Sequence, residues 1–173
     1  MTDNYDVVIV GSGPAGYVAA IRAAQLGLKT ACIEKWKNDA GKGVNGGTCL
    51  NVGCIPSKAL LNASEHFAIA ASGNLASMGI SVGTVKLDLP AMMKSKTDIV
   101  STLTGGIDFL FKKNKITRLE GSATITGAGR VTIVNGKDKG DYKADKIMIA
   151  TGSHPSSLPG ITIDEKHIVS STG

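Results

Sequence analysis

The stretch from Tyr5 to Glu34 constrains this chain more than any other. Tyr5 to Val10 is a short apolar, β-branched run that reads as a buried parallel strand. Gly11-Ser12-Gly13-Pro14-Ala15-Gly16 follows at once. Tyr17 to Leu26 is Ala-rich and helical, Gly27 is a helix stop, and Lys29 to Glu34 reads as a second strand. Such a strand–turn–helix–strand unit needs a parallel sheet, so the chain belongs to the α/β class. The glycines have separate tasks. Gly11 permits the tight turn after the strand, Gly13 lets the backbone approach a pyrophosphate, and Gly16 lets the helix pack close to the sheet. The helix start offers unpaired N–H groups and a partial positive charge to that phosphate. Glu34, at the end of the second strand, is placed to accept from ribose hydroxyls and to repel a 2′-phosphate. The candidate cofactor-binding positions here are Gly11, Gly13, Pro14, Ala15, Gly16, Glu34 and Lys35. A purely structural glycine turn is the competing reading, and it leaves the acid without a purpose.

Further along, Trp36 to Gly47 is polar and Gly-rich, hence a loop. Helical patterns cover Ile55 to Ser72, with Leu60, Leu61, Phe67, Ile69 and Ala71 among the apolar positions, and Leu89 to Lys113. In the second, Ile99, Leu103, Ile107, Leu110 and Phe111 recur at helical spacing and are expected to line its inner face. After Lys115 the period changes. Ile116 to Glu120, Ala123 to Thr126, Val131 to Val134 and the residues around Tyr142 read as short strands between Gly-containing turns. Lys146 to Ala150 reads as one more buried strand.

With 22 Gly among 173 residues, against an average of roughly 7%, the turns are suited to close approach to a ligand. The formal charge of +5 is scattered, and only 4% of residues are aromatic. No helix carries the basic stripe that nucleic acid would require. The start of the chain lacks a charged region followed by an apolar one, and no apolar run reaches the roughly 18 residues of a membrane span. These features lead us to expect a soluble, cytoplasmic protein. In that compartment a cysteine pair is more often catalytic or metal-binding than structural.

Cys49 and Cys54 enclose Leu-Asn-Val-Gly and are followed by Ile-Pro-Ser-Lys. Two cysteines five apart are strained as a bridge in a regular helix, but a loop-to-helix junction loosened by Gly46, Gly47 and Gly53 accommodates one. A disulfide at a helix start is reactive, because the helix dipole and a cation such as Lys58 stabilise the thiolate released on reduction. Two other readings stay open on the residues alone: inert thiols, and a zinc site, for which no second Cys pair is present. Cys32, mid-strand among apolar residues, reads as core packing. Ala150-Thr151-Gly152-Ser153 closes a strand at the end where ligands bind, or is a plain strand-ending turn.

Gly46 to Leu61, Gly-Gly-Thr-Cys-Leu-Asn-Val-Gly-Cys-Ile-Pro-Ser-Lys-Ala-Leu-Leu, resembles the active-site segment of the pyridine nucleotide–disulfide oxidoreductases. Its spelling is closest to the dihydrolipoamide dehydrogenases. The glutathione and mercuric reductases are similar but usually have Val after the first Cys, and the glutathione enzymes have Lys-Lys where this chain has Ser57-Lys58. The resemblance extends over the whole chain and implies a Rossmann-like FAD-binding domain, incomplete here: a parallel sheet, helices on one face and an antiparallel β-meander on the other. It implies FAD at the first fingerprint, Cys54 beside the flavin ring, Cys49 as the thiol exchanging with dihydrolipoamide, and Lys58 near the reactive flavin edge. Gly47, Thr48, Gly53, Gly121, Ala123, Ala150, Thr151, Gly152 and Ser153 match positions that meet the cofactor. Residues 1–153 would form the FAD-binding portion, and 154–173 a connection toward an NAD-binding domain that lies outside this chain. In the family NAD is the final acceptor, the partners are lipoyl domains of 2-oxoacid dehydrogenase complexes, and the full subunit is a homodimer. The family's base is a His followed five residues later by Glu, which His66, His154 and His167 do not match. All three read as surface or loop histidines. The 173-residue chain alone is therefore expected to be inactive. A non-catalytic partner-binding module is the alternative from another class.

Overall fold

The computed structural model describes residues 4–38 and 40–173. Its order is β1 (Asn4–Val10), α1 (Pro14–Gln25), β2 (Thr30–Glu34), α2 (Gly47–Asn51), α3 (Cys54–Ala71), a 3-10 turn (Asn74–Met78), α4 (Leu89–Lys113), β3 (Thr117–Glu120), β4 (Ala123–Gly127), β5 (Arg130–Ile133) and β6 (Gly140–Ile149). Gly27, at φ +86°, ends α1. Its amide donates to Ala24 and that of Leu28 to Ala23, the paired bonds of a left-handed helix stop. At the other long helix, Asp88 caps α4 by accepting from the Ala91 amide at 3.0 Å, while Lys112 and Lys113 face the negative end of its dipole.

One six-stranded sheet runs β3-β2-β1-β6-β5-β4. The first four strands are parallel, and β4, β5 and β6 are antiparallel. Strand β6 belongs to both parts. Gly140 to Lys143 pair with β5, and Lys143 to Ile149 pair with β1 in the register Val7↔Lys146 to Val10↔Ile149. The chain thus passes from the meander into the parallel sheet without a break. Each face of the parallel part has its own core. Val131 and Ile133 of β5 pack with Val8, Ala31, Ile33 and Leu119 on one side. On the other, Ile9 and Cys32 meet Ala20, Leu50, Ile107, Phe111 and Ile116. A fully buried Ile or Val on either side stabilises the fold by about 1.5–3 kcal/mol. Helices on one face and a meander on the other is the expected Rossmann-like architecture.

Two expectations need correction. The strand expected at Lys146 to Ala150 and the one around Tyr142 are a single strand, and its end is not buried: Met148 is 39% and Ile149 66% exposed. Among the described residues no layer covers the sheet there, and Ile149 instead lines a cleft. Along α4 only Ile107 and Phe111 of the expected stripe are buried, while Ile99, Leu103 and Leu110 are exposed. None of the apolar residues of α3 is buried. The cause is length. At 1.5 Å per residue the 25-residue α4 is far longer than any strand, its buried residues Thr104, Ile107 and Phe111 all lie in its second half, and it also packs with α3. Residues 154–173 contain no helix or strand.

Candidate functional site

A cleft of about 720 Å³ opens at the carboxyl ends of β1, β2 and β6, where ligands bind in open parallel sheets. The glycine turn forms its floor. Gly11 has φ +102°, and a Cβ there would run into the carbonyl oxygen of Ala150. At Gly16 a Cβ would overlap the Gly11 carbonyl and sit 3.5 Å from the Ala150 Cβ. The turn and the start of α1 can therefore approach β6 only as glycine. Gly13 caps α1 without any side-chain hydrogen bond, so the first amides of α1 face the cleft with no protein acceptor drawn across them. That arrangement suits an anion.

Glu34 is 8% exposed and anchors the adjacent wall. Its Oε2 accepts from the amide and the hydroxyl of Ser12, both at 2.8 Å. Its Oε1 accepts from the amides of Lys35 at 2.8 Å and Trp36 at 2.9 Å. The Glu34 carbonyl in turn receives the Gly121 amide at 2.9 Å, which brings Gly121 and Ala123 to the same wall. Beneath the turn, the Cys32 Sγ donates to the Gly11 carbonyl oxygen at 3.6 Å. Burial, with the Glu34 charge second and Arg118 opposing, pushes that thiol up to about 12. As expected, Cys32 is core.

Opposite the glycine turn stand the two cysteines. The Gly46 amide donates to the Ser12 carbonyl at 2.9 Å and so fixes the start of α2 against the turn. Gly47 approaches Gly13 so closely that a Cβ would lie 2.6 Å from its Cα. Asn51 braces α2 from within by donating Nδ2 to the carbonyls of Asn45 at 3.1 Å and Gly47 at 2.9 Å. Cys49 lies in α2, and Cys54 is the first residue of α3. Both are free thiols, Cys49 half-buried and Cys54 exposed. A hydrogen bond with Cys54 raises the Cys49 thiol above its ordinary value, with desolvation next and Lys58 acting against them. The two thiols thus influence each other, and the Lys58 cation acts on Cys49 in the opposite sense.

The cleft brings together every candidate residue named from the sequence except two. Gly16 lies behind the turn, and exposed Lys58 stands outside the cleft lining, one turn along α3. Sequence reasoning missed Trp36, Ser122, His154 and the run Ser170-Ser171-Thr172, all of which line the cleft. His154, expected as an ordinary surface histidine, is exposed yet forms part of this wall. The tail residues arrive through a fold-back in which Glu165 accepts from the Ser170 hydroxyl at 2.6 Å, and no local pattern announces that. Among the described residues no three His, Cys, Asp or Glu gather as a metal site, and no helix is long and apolar enough to cross a membrane.

The residues present fit an extended dinucleotide. A close-approach glycine floor, uncapped helix amides and a buried carboxylate stand at one part of a single cleft, and a dithiol at another. Comparison with known proteins agrees. Dihydrolipoyl dehydrogenase 1, mitochondrial, of Arabidopsis thaliana is 55% identical over 99% of this chain, which spans 33% of that protein. Dihydrolipoyl dehydrogenase 3 of Pseudomonas aeruginosa is 50% identical over 100% of the chain, spanning 36%. The mitochondrial dihydrolipoyl dehydrogenase of Homo sapiens is 54% identical over 97%, spanning 32%. The chain therefore spans about a third of the length of the curated relatives it matches. Residues 5–172 match the family described as "Pyridine nucleotide-disulphide oxidoreductase", and the chain belongs to that family.

Proposed function

We propose that this chain is the FAD-binding, dithiol-bearing portion of a dihydrolipoyl dehydrogenase. The observation that carries the reading is one cleft holding the glycine turn, Glu34 and both Cys49 and Cys54. In this reading Gly11, Gly13, Pro14 and Ala15 cradle the pyrophosphate, Glu34 and Gly121 hold the adenosine side, and Thr151 to Ser153 close the opposite wall. FAD, when bound, supplies a two-electron carrier between the protein thiols and NAD.

The protein's own sulfurs carry out the exchange. A sulfur of dihydrolipoamide bonds to Cys49 as the Cys49–Cys54 bond breaks, and Cys54 leaves as the thiolate. The second substrate sulfur then displaces Cys49, which closes the lipoamide disulfide and leaves two protein thiols. Two electrons have then entered the pair. In the family's reaction an NAD site, a base and a dimer surface complete the chemistry, and this chain spans about a third of the length of its relatives. Its partners in the complete protein are lipoyl domains and a second copy. We place it in the cytoplasm or in the mitochondrial interior of the plant and human relatives, where thiols are kept reduced.

The test is a visible spectrum of the chain after incubation with FAD and removal of excess, then after one equivalent of dithiol. Retained flavin bands with a long-wavelength shoulder that Cys54→Ser abolishes are expected. A bound flavin whose spectrum is the same in wild type and Cys54→Ser refutes the placement of Cys54 beside the ring.

A further inference from the structure

Glu34 is already fully occupied. A carboxylate offers about four lone-pair sites, and four protein donors fill them: the Lys35 and Trp36 amides on Oε1, the Ser12 amide and hydroxyl on Oε2. Three of these donors are backbone. The amides of Lys35 and Trp36 directly continue β2. The Ser12 peptide is pinned between the Gly11 amide, which donates to Ile33 at 2.8 Å, and its own carbonyl, which accepts from Gly46. Only the Ser12 hydroxyl can turn away by side-chain rotation. Ser12 is fully buried and stands behind the cleft wall, whereas Glu34 lines it. A donor arriving from the cleft meets the carboxylate and not the serine.

We propose that Ser12 is a placeholder on Glu34: its hydroxyl holds the lone pair that an adenosine ribose hydroxyl takes on binding, and it thereby limits how much ribose recognition adds to affinity. This inference rests on the cleft being a dinucleotide site and adds a residue that acts on the ligand only through another. When the ribose hydroxyl arrives, one bond to the carboxylate replaces another, so the direct gain is small. The displaced Ser12 hydroxyl stays buried and loses its acceptor, which opposes binding. Removing the hydroxyl beforehand frees the lone pair and abolishes that opposition. Ser12→Ala is therefore expected to tighten binding of a ribose diol by about three- to tenfold, the worth of one net hydrogen bond. A ligand without the diol gains nothing.

The experiment is a calorimetric titration of the full chain with ADP and with 2′,3′-dideoxy-ADP, in wild type and in Ser12→Ala. The ratio of the two affinities is expected to rise three- to tenfold in the variant. A role for Ser12 that is only structural shifts both affinities together, and an unchanged ratio overturns the proposal while leaving the dinucleotide reading intact. A wild-type chain that binds neither nucleotide sinks both. One wild-type measurement avoids any folding defect of the variant. The Ser12 amide proton, which donates to the same oxygen, is expected to shift further in NMR spectra with ADP than with the dideoxy analogue, whose diphosphate still meets the glycine turn. Equal shifts with both overturn the proposal.

Discussion

Replacing Glu34 by Gln tests how the cleft is held. The change conserves shape but turns one acceptor oxygen into a donor NH2 and removes the charge. The amide can point its NH2 toward the Ser12 pair or toward the Lys35 and Trp36 amides. Ser12 is fully buried, so the cheaper choice keeps oxygen there and faces NH2 toward two part-buried backbone donors. Two hydrogen bonds to a carboxylate are then lost, and two weaken from charge-assisted to neutral. Bonds to charged groups contribute about 1.5–3 kcal/mol and neutral ones about 0.5–1.5 kcal/mol. After allowance for water reaching the exposed side, the expected loss is about 2–4 kcal/mol. For a chain of this size each kcal/mol moves Tm by about 2–4 °C, so Glu34→Gln should melt roughly 5–15 °C lower when followed by far-UV circular dichroism. A shift under about 1 °C would falsify the claim that this carboxylate organises the turn, whatever its part in binding.

Other expectations concern the thiols. In the reduced native chain, alkylation with iodoacetamide at pH 8 should modify Cys49 and Cys54 and spare Cys32, whose thiol is held at about 12 by burial; three modified sites by mass spectrometry without denaturant refute its place in the core. Lys58→Gln removes the cation that opposes the upward shift of Cys49, so the pH midpoint of Cys49 alkylation should rise, whereas Cys54→Ser, which replaces the hydrogen-bonding thiol, should move it. A midpoint unaffected by Lys58→Gln breaks the link between that residue and the sulfur pair. Cys32 also predicts an alkaline weakness. Its folded pKa lies above the unfolded one, so its contribution is complete below about pH 9 and is lost as pH climbs toward 12, by about 1.4 kcal/mol per pH unit. Cys32→Ala should flatten the fall of urea-derived stability above pH 9 by that slope, and parallel curves for wild type and variant refute it.

Local signals made a large part of this molecule legible. The β1–α1–β2 unit declared itself through a strand, a glycine turn and an acid whose spacings agree. Helix α4 was legible from Leu89 to Lys113 through its apolar periodicity. What escaped depends on neighbours distant in sequence. Periodicity marks which side of α4 is apolar, but not that Ile99 and Leu103 stay exposed while Ile107 and Phe111 are buried. Lys146 to Ile149 looks like a buried strand because its composition is apolar, yet burial depends on whether another layer covers it. Ser170 to Thr172 reach the cleft by tertiary fold-back, and nothing in their immediate sequence separates them from surface loop, while Trp36 reaches it by continuing β2 past Glu34. The position of Lys58 was right along α3 and incomplete in space. Its charge reaches Cys49, but the residue does not line the cleft.

The acid at the end of β2 shows a deeper limit of motif reading. Its spacing from the glycine turn points to ribose recognition, and the geometry permits that. The same carboxylate also binds the turn itself through Ser12, and Ser12 binds the start of α2 through Gly46. Buried Ser12 therefore joins the two ends of the cleft by hydrogen bonds, beside the close approach of Gly13 and Gly47: glycine turn and acid on one side, the helix bearing Cys49 on the other. A substitution that loosens Glu34 need not act on nucleotide affinity alone. It can also displace α2, and with it the Cys49 sulfur, because the Ser12 peptide that Gly46 leans on is held by that carboxylate. Loss of cofactor and altered thiol chemistry in a Glu34 variant should thus appear together, and a variant that loses one and keeps the other would show that the Ser12 bridge does not transmit.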